Sequence, residues 1–376
     1  MSTTRAVPSS SQPSAGPASG AAGEPAAGPL PPLRIEPLQG WHLPLLHDPA
    51  FLDLQPLLQR SLLLQGPEWL LRSVVSRRAL APTVLVAYRD PQRPLGLIVS
   101  ERLNRSGSCW QLLHLRSSEA VLAAAEAGRM ALESALVREA IQRSRSAASW
   151  IATSSSCDDA RLALLRQQGF QPLRHETLWR WQPQPGGSPS GGEAERQLQA
   201  LPADLQLQPL SRRTAGLMWH LEQAALPAQL RQLLDRRVED LLDQSQGPSL
   251  MLVDASRQTA VAGARRLRPG SRGLPELELT LHPGWQHLLG APLQLLLERS
   301  AAGCEQLIVR SDMGDSERSR WLQSLGMAPE GEEVVMARSV WRRHSPQPSA
   351  AVARRLDAVF GQLQPRQRPL PTPLGR

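Results

Sequence analysis

Residues 164–181 read LLRQQGFQPLRHETLWRW, and residues 321–341 read WLQSLGMAPEGEEVVMARSVW. Each stretch runs from the end of a helix through a glycine, one bulky apolar residue and a proline two positions later. Each then becomes a strand that ends near tryptophan. Gly169 and Gly326 read as helix stops, where a left-handed backbone costs glycine little. Upstream, "DDARLALL" and "DSERSRWL" open the same helices with acids, so Asp158, Asp159 and Asp315 read as caps and dipole partners. One chain ends two segments in one manner, which points to an internal duplication.

Working outward, the two copies keep the same order. The first opens with the strand "LRIEPL" and continues in Leu-rich helical sequence to about Arg78. Three strands follow, "TVLVAYRD", "LGLIVSERL" and "SCWQLLHLR", the last two joined by the hairpin "NRSGS". Then come the amphipathic helix "RMALESALVREAIQRSR", the strand "SWIATSSS", the helix that stops at Gly169, and a final strand. The second copy opens with "LQLQPLS" and has helices over residues 214–244. Its strands are "SLMLVDA", "AVAGARRL" and "PELELTL". The helix "APLQLLLERSAAG", the strand "EQLIVRS", the helix that stops at Gly326 and the strand "EEVVMARSV" complete it. Each copy predicts an α/β (α+β) domain, a mixed and mostly antiparallel sheet flanked by helices.

Composition places the boundaries. Residues 1–32 are rich in Pro, Ser and Ala and read as disordered; 33–181 form the first domain; 182–202, with "QPQPGGSPSGGE", form a flexible linker; 203–344 form the second domain. Residues 345–376 hold a Pro-rich tail and an amphipathic helix with Val352, Leu356, Val359 and Phe360 on one face, a segment suited to dock on the second block or on a protein partner.

The chain has 376 residues and a net charge of +8, and it contains no lysine, so all 42 basic residues are arginine. They are scattered in pairs rather than gathered in a patch with aromatics, so nucleic acid is not an expected partner. No apolar run reaches the length of a membrane span, and the N-terminus lacks a signal-peptide core. Cys109, Cys157 and Cys304 lie far apart, without a CxxC, a Cys/His cluster of metal-ligand spacing or an HExxH. The expectation is a cytoplasmic protein with free thiols, no metal and no membrane contact.

The duplicated order, together with "LLRQQGFQP" and "WLQSLGMAP", resembles the GNAT superfamily, the Gcn5-related N-acetyltransferases. The resemblance covers both blocks. It implies acyl-CoA-dependent N-acyltransfer, with acetyl-CoA as cosubstrate and a small-molecule or protein amine as acceptor. It also implies a loop R/Q-x-x-G-x-G/A after the fourth strand, whose amides and following helix hold the pyrophosphate. In the second block "LTLHPGWQHLLGAPLQLL" falls there: Gln286 takes the first position, Leu289 stands where the central Gly belongs, Gly290 is displaced by one, and Ala291 takes the last. With Leu281 on the preceding strand, these are the expected cofactor contacts. The first block offers only Gly128 and Arg129 and reads as the degenerate copy.

The chemistry asks for a base, and the resemblance places one on or near the fourth strand. "PELELTLHP" alternates, so Glu276, Glu278, Thr280 and His282 share one face. Glu278 or Glu276 is the candidate base, beside the plainer reading of a solvated strand face. His114 holds a comparable place in the first block. The family's tyrosine acid is missing, since the single Tyr is Tyr88 on an early strand. A non-catalytic binding or scaffold protein of the same fold is therefore the alternative. The hairpins and the lack of GxGxxG after a first strand argue against a third reading, a doubly wound nucleotide-binding domain.

Overall fold

The computed structural model describes residues 31–71, 82–123, 125–182, 201–268 and 273–339. Nearly all of the expected N-terminal segment and linker, and the whole of the expected tail, lie outside the described residues. Among the described residues no helix is long and apolar enough to cross a membrane.

The first half supplies β1 (Arg34–Pro37), α1 (Gln55–Leu71), β2 (Thr83–Asp90), β3 (Arg93–Arg102), β4 (Cys109–Ser117), α2 (Glu119–Leu122), α3 (Glu126–Arg143), β5 (Ser149–Ser155), α4 (Asp159–Gln167) and β6 (Gln171–Trp181). The second supplies β7 (Leu205–Pro209), α5 (Ala215–Ala225), α6 (Ala228–Leu234), α7 (Val238–Gln244), β8 (Leu250–Asp254), β9 (Thr259–Leu267), β10 (Glu276–Leu281), α8 (Ala291–Ser300), β11 (Leu307–Asp312), α9 (Ser316–Ser324) and β12 (Ala328–Ser339).

The duplication is visible in its smallest parts. Asp158 and Asp315 cap α4 and α9, accepting the N–H of Arg161 at 2.9 Å and of Arg318 at 3.0 Å. Both helices end at a left-handed glycine, Gly169 at φ +83° and Gly326 at φ +79°. Behind each, the next N–H turns back to the helix, Phe170 to the Leu165 carbonyl at 3.0 Å and Met327 to the Leu322 carbonyl at 3.3 Å.

The sheet differs from two separate sheets laid end to end. All 12 strands form one sheet in the order β1-β2-β3-β4-β5-β12-β6-β11-β10-β9-β8-β7. The last strand of each half is exchanged: β12 pairs with β5 through Glu333↔Ser155 to Ser339↔Ser149, and β6 pairs with β11 through Leu307↔Trp181 to Asp312↔Glu176. The two exchanged strands pair with each other at the centre. Among the described residues only β4/β5 and β10/β11 pair in parallel.

Helices cover both faces. In the first half α3 and α4 bury one core, including Trp150, Leu136 and Phe170, while Leu58 of α1 and Phe51 close the opposite face. In the second half α8 and α9 cover Leu277, Leu279 and Leu281, and α5 and α7 cover Met251 and Val253. Helix α6 crosses the seam: Leu230 and Leu234 pack on Cys109, Ile151 and Val335. Nearby, Asn104 donates to the Leu234 carbonyl at 3.0 Å, and Ser149 Oγ donates to that of Leu233.

Candidate functional site

Each parallel strand pair opens into a gap. The β10/β11 ladder consists of Glu276↔Ile308 and Leu277↔Val309, and β10 then continues to Leu281 beside β9 alone. The β4/β5 ladder ends at Leu112↔Ala152, and β4 continues to Ser117 beside β3. Backbone groups that face the departing strand are left to find other partners. On β10 the direction follows from alternation. His282 N–H donates to the Val261 carbonyl, so Thr280 also faces β9, while Leu279 and Leu281 turn their backbone groups to the gap. The Leu281 side chain, expected as a cofactor contact, is buried in the core, and its backbone faces the gap.

The gap leads to the loop singled out in the sequence. Residues Pro283–Leu288 form a 3-10 turn, fixed at its start by the Gly284 N–H donating to His282 Nδ1 at 3.1 Å. Gln286 is exposed, and its carbonyl accepts the Leu289 N–H at 3.0 Å. Leu289 packs its side chain against the core below. Gly290 is the N-cap of α8, in an extended conformation open to any residue, and a Cβ there would meet nothing within 4 Å. No side chain caps α8 and no acid stands in its first turn. The amides of Ala291 and Leu293 are thus free of an intrahelical acceptor, while Pro292 contributes none. The matching start in the first half carries Glu126, 3.6 Å from Arg129, which sets a carboxylate at the positive end of that helix.

The expected bases are engaged elsewhere. Glu278 accepts from Arg265, which is 1% exposed, and lies 3.7 Å from Arg236. Arg265 also sits 2.8 Å from Glu222. Burial pushes the Glu278 carboxyl up, but Arg265, Arg236 and Arg174 pull it down further, to about 2. Glu276 is held at both oxygens by Arg310, at 2.9 and 3.1 Å, and Arg310 continues to Glu333 at 2.8 Å and Glu176 at 3.2 Å. The face is a band of ion pairs, partly open to water at Glu278, that crosses the seam where Arg310 meets Glu176. The structure thus places both candidate bases, Glu278 and Glu276, in ion pairs with arginines.

Element order, the two parallel pairs that diverge, and a helix start beside the second gap decide the fold. It is a tandem GNAT fold. The structure is similar to a tandem GNAT protein from the clavulanic acid biosynthesis pathway, solved without AcCoA, at 15% identity and a TM-score of 0.51, covering 83% of this chain and 99% of that one. It is also similar to a GCN5-related N-acetyltransferase from Sphaerobacter thermophilus, at 14% identity and a TM-score of 0.47, covering 82% and 95%. No family model matches the sequence, and no curated protein matches it.

Within the GNAT frame the two halves differ at one register position. His114 on β4 stands where Glu278 stands on β10, since Leu115 and Leu279, the residues that follow them, both receive an arginine from the equivalent helix. The imidazole is buried, its Nδ1 has no hydrogen-bond partner, and desolvation, then Arg116, lower its pKa. Sequence reading placed the carboxylates on one face but missed Arg265, Arg236 and Arg310. One signal was present: "GARRL" puts two adjacent arginines in a strand buried on both faces, so Arg265 or Arg266 must turn inward.

Proposed function

We propose that the second half is an acyl-CoA site and that the chain transfers an acyl group, acetyl in the first instance, to an amine. The observation that carries this reading is the uncapped, acid-free start of α8 beside the β10/β11 gap. The amides of Ala291 and Leu293 suit a pyrophosphate. The backbone of Leu279 and Leu281 suits an extended amide-bearing arm. In the transfer the amine nitrogen attacks the thioester carbon, the C–S bond breaks, and the amine proton ends on the thiolate. With Glu278 and Glu276 held by arginines, the amine enters already neutral. The leaving thiolate takes its proton from solvent or substrate, because Tyr88 lies on β2 of the other half. The acceptor is a small-molecule or protein amine.

A second reading has its own support. The ion-paired carboxylates favour a GNAT-fold protein that binds without catalysing. Calorimetric titration of acetyl-CoA into the full chain separates the cases. Micromolar binding abolished by Ala291→Glu, with thiol release on adding amines, supports the transferase. The same binding without thiol release from any amine supports the binding protein. No binding removes the site.

A further inference from the structure

Two arginines hold matching places in the repeats. Each is the third residue past a capping aspartate, Arg161 past Asp158 and Arg318 past Asp315. Arg161 Nη2 donates to the Leu115 carbonyl at 3.0 Å, and Arg318 Nη1 donates to the Leu279 carbonyl at 3.3 Å.

The two acceptors are equivalent. The Ser118 N–H donates to the Leu95 carbonyl, so Arg116 faces β3 while Ser117 and Leu115 face away from it. Leu279 faces away from β9 by the same alternation. Both carbonyls therefore point into a gap beyond the last rung of a parallel ladder, and both receive a guanidinium where a strand would have been. The side chains are 20% and 15% exposed. A long cation at a helix start ordinarily keeps its head in water. Here burial pulls both guanidinium pKa values below the usual arginine range, so each position costs desolvation and the strand carbonyl compensates.

We infer that Arg161 and Arg318 are built-in stoppers of the two strand gaps, and that an extended amide-bearing ligand enters the second gap by taking the Leu279 carbonyl from Arg318. The ligand half of this statement rests on the acyl-CoA reading above; the stopper half does not. A ligand that adds to an open strand does so through main-chain hydrogen bonds, and Arg318 already uses the acceptor such a ligand needs.

The two stoppers are tethered differently. Arg161 also lies 3.8 Å from Glu133 of α3, which is buried and accepts from Ser117 Oγ at 3.1 Å. It thus ties α4 to β4 and α3. Arg318 has Asp315 of its own helix as its second partner, at 3.1 Å, and can swing out without breaking a link between helices. The first gap is held shut and the second can open.

The test uses the full chain with Arg318→Ala and Arg161→Ala, read by hydrogen–deuterium exchange and by acetyl-CoA calorimetry. In Arg318→Ala, exchange over residues 278–282 rises at least about fivefold, and in Arg161→Ala the same happens over 113–117, with the outer strands unchanged as the folding control. Acetyl-CoA binds Arg318→Ala about tenfold more tightly, the worth of one hydrogen bond no longer contested. Arg318→Met, which keeps the aliphatic bulk and loses the donor, serves if alanine unfolds the chain. Unchanged exchange overturns the stopper whatever the ligand does. Faster exchange with no acetyl-CoA binding to either protein leaves the stopper and overturns both the acyl-CoA reading and the competition drawn from it. Equal or weaker binding by Arg318→Ala overturns the competition.

Discussion

Replacing Arg265 with methionine is the sharpest probe of the ion-pair band. Arg265 is 1% exposed and faces Glu222, which is 2% exposed, and Glu278. Methionine fills much of the volume but leaves two carboxylates to share Arg236, which lies 3.3 Å from one and 3.7 Å from the other. The depression of Glu278 from 4.5 to about 2 corresponds to roughly 3 kcal/mol. The Glu278 side chain is 29% exposed, so water screens part of this. Breaking a buried pair by removing one member costs about 3–5 kcal/mol, and the expected loss is about 2–4 kcal/mol at pH 7. The sign with pH follows from the depressed carboxyl. Its contribution is full above the unfolded value near 4.5 and disappears as pH falls towards 2. Urea denaturation at pH 7 and at pH 3 therefore gives a wide difference between wild type and variant at the first pH and a narrower one at the second. Equal stability at pH 7, or the same difference at both, would refute the assignment of Arg265 as the group that holds Glu278.

Asp158→Ala and Asp315→Ala should each lower stability by about 1 kcal/mol, since each removes the side-chain acceptor at the start of its helix; thermal melts of the two variants should shift by similar amounts. Burial pushes the Cys109 thiol up to about 11, so Cys109 should resist a thiol reagent in the native protein while the exposed Cys157 reacts. Counting modified thiols before and after denaturation checks this, and rapid native modification of Cys109 would contradict the packing of α6 across the seam.

Much of the fold was legible because duplication repeats its signals. Gly169 and Gly326 stop helices in the structure as the sequence pattern requires, and the alternation of "ELELTL" does bury Leu277, Leu279 and Leu281 together. What local pattern does not carry is the choice of partner. Nothing within β6 or β12 says which neighbour completes it, because both candidate edges offer the same backbone groups. The same limit applied to the candidate base. Alternation puts Glu276 and Glu278 on one face, but their environment comes from Arg310, Arg265 and Arg236, on three other stretches of chain. The α8 start was legible as a motif, whereas its lack of a cap and the open space at Gly290 required the assembled loop.

The strand exchange sets an order for synthesis. As the chain emerges from its N-terminus, β5 is complete early, but its outer edge is closed only by β12, with Ser149 waiting for Ser339. Strand β6 likewise has no neighbour in its own half and must be held until β11 and β12 exist. The first half cannot finish its sheet before nearly all the described chain has been made. Until then it carries an open edge of the kind that pairs with other chains. In this arrangement each half receives its final strand from the other. In this chain both partners are carried on one polypeptide.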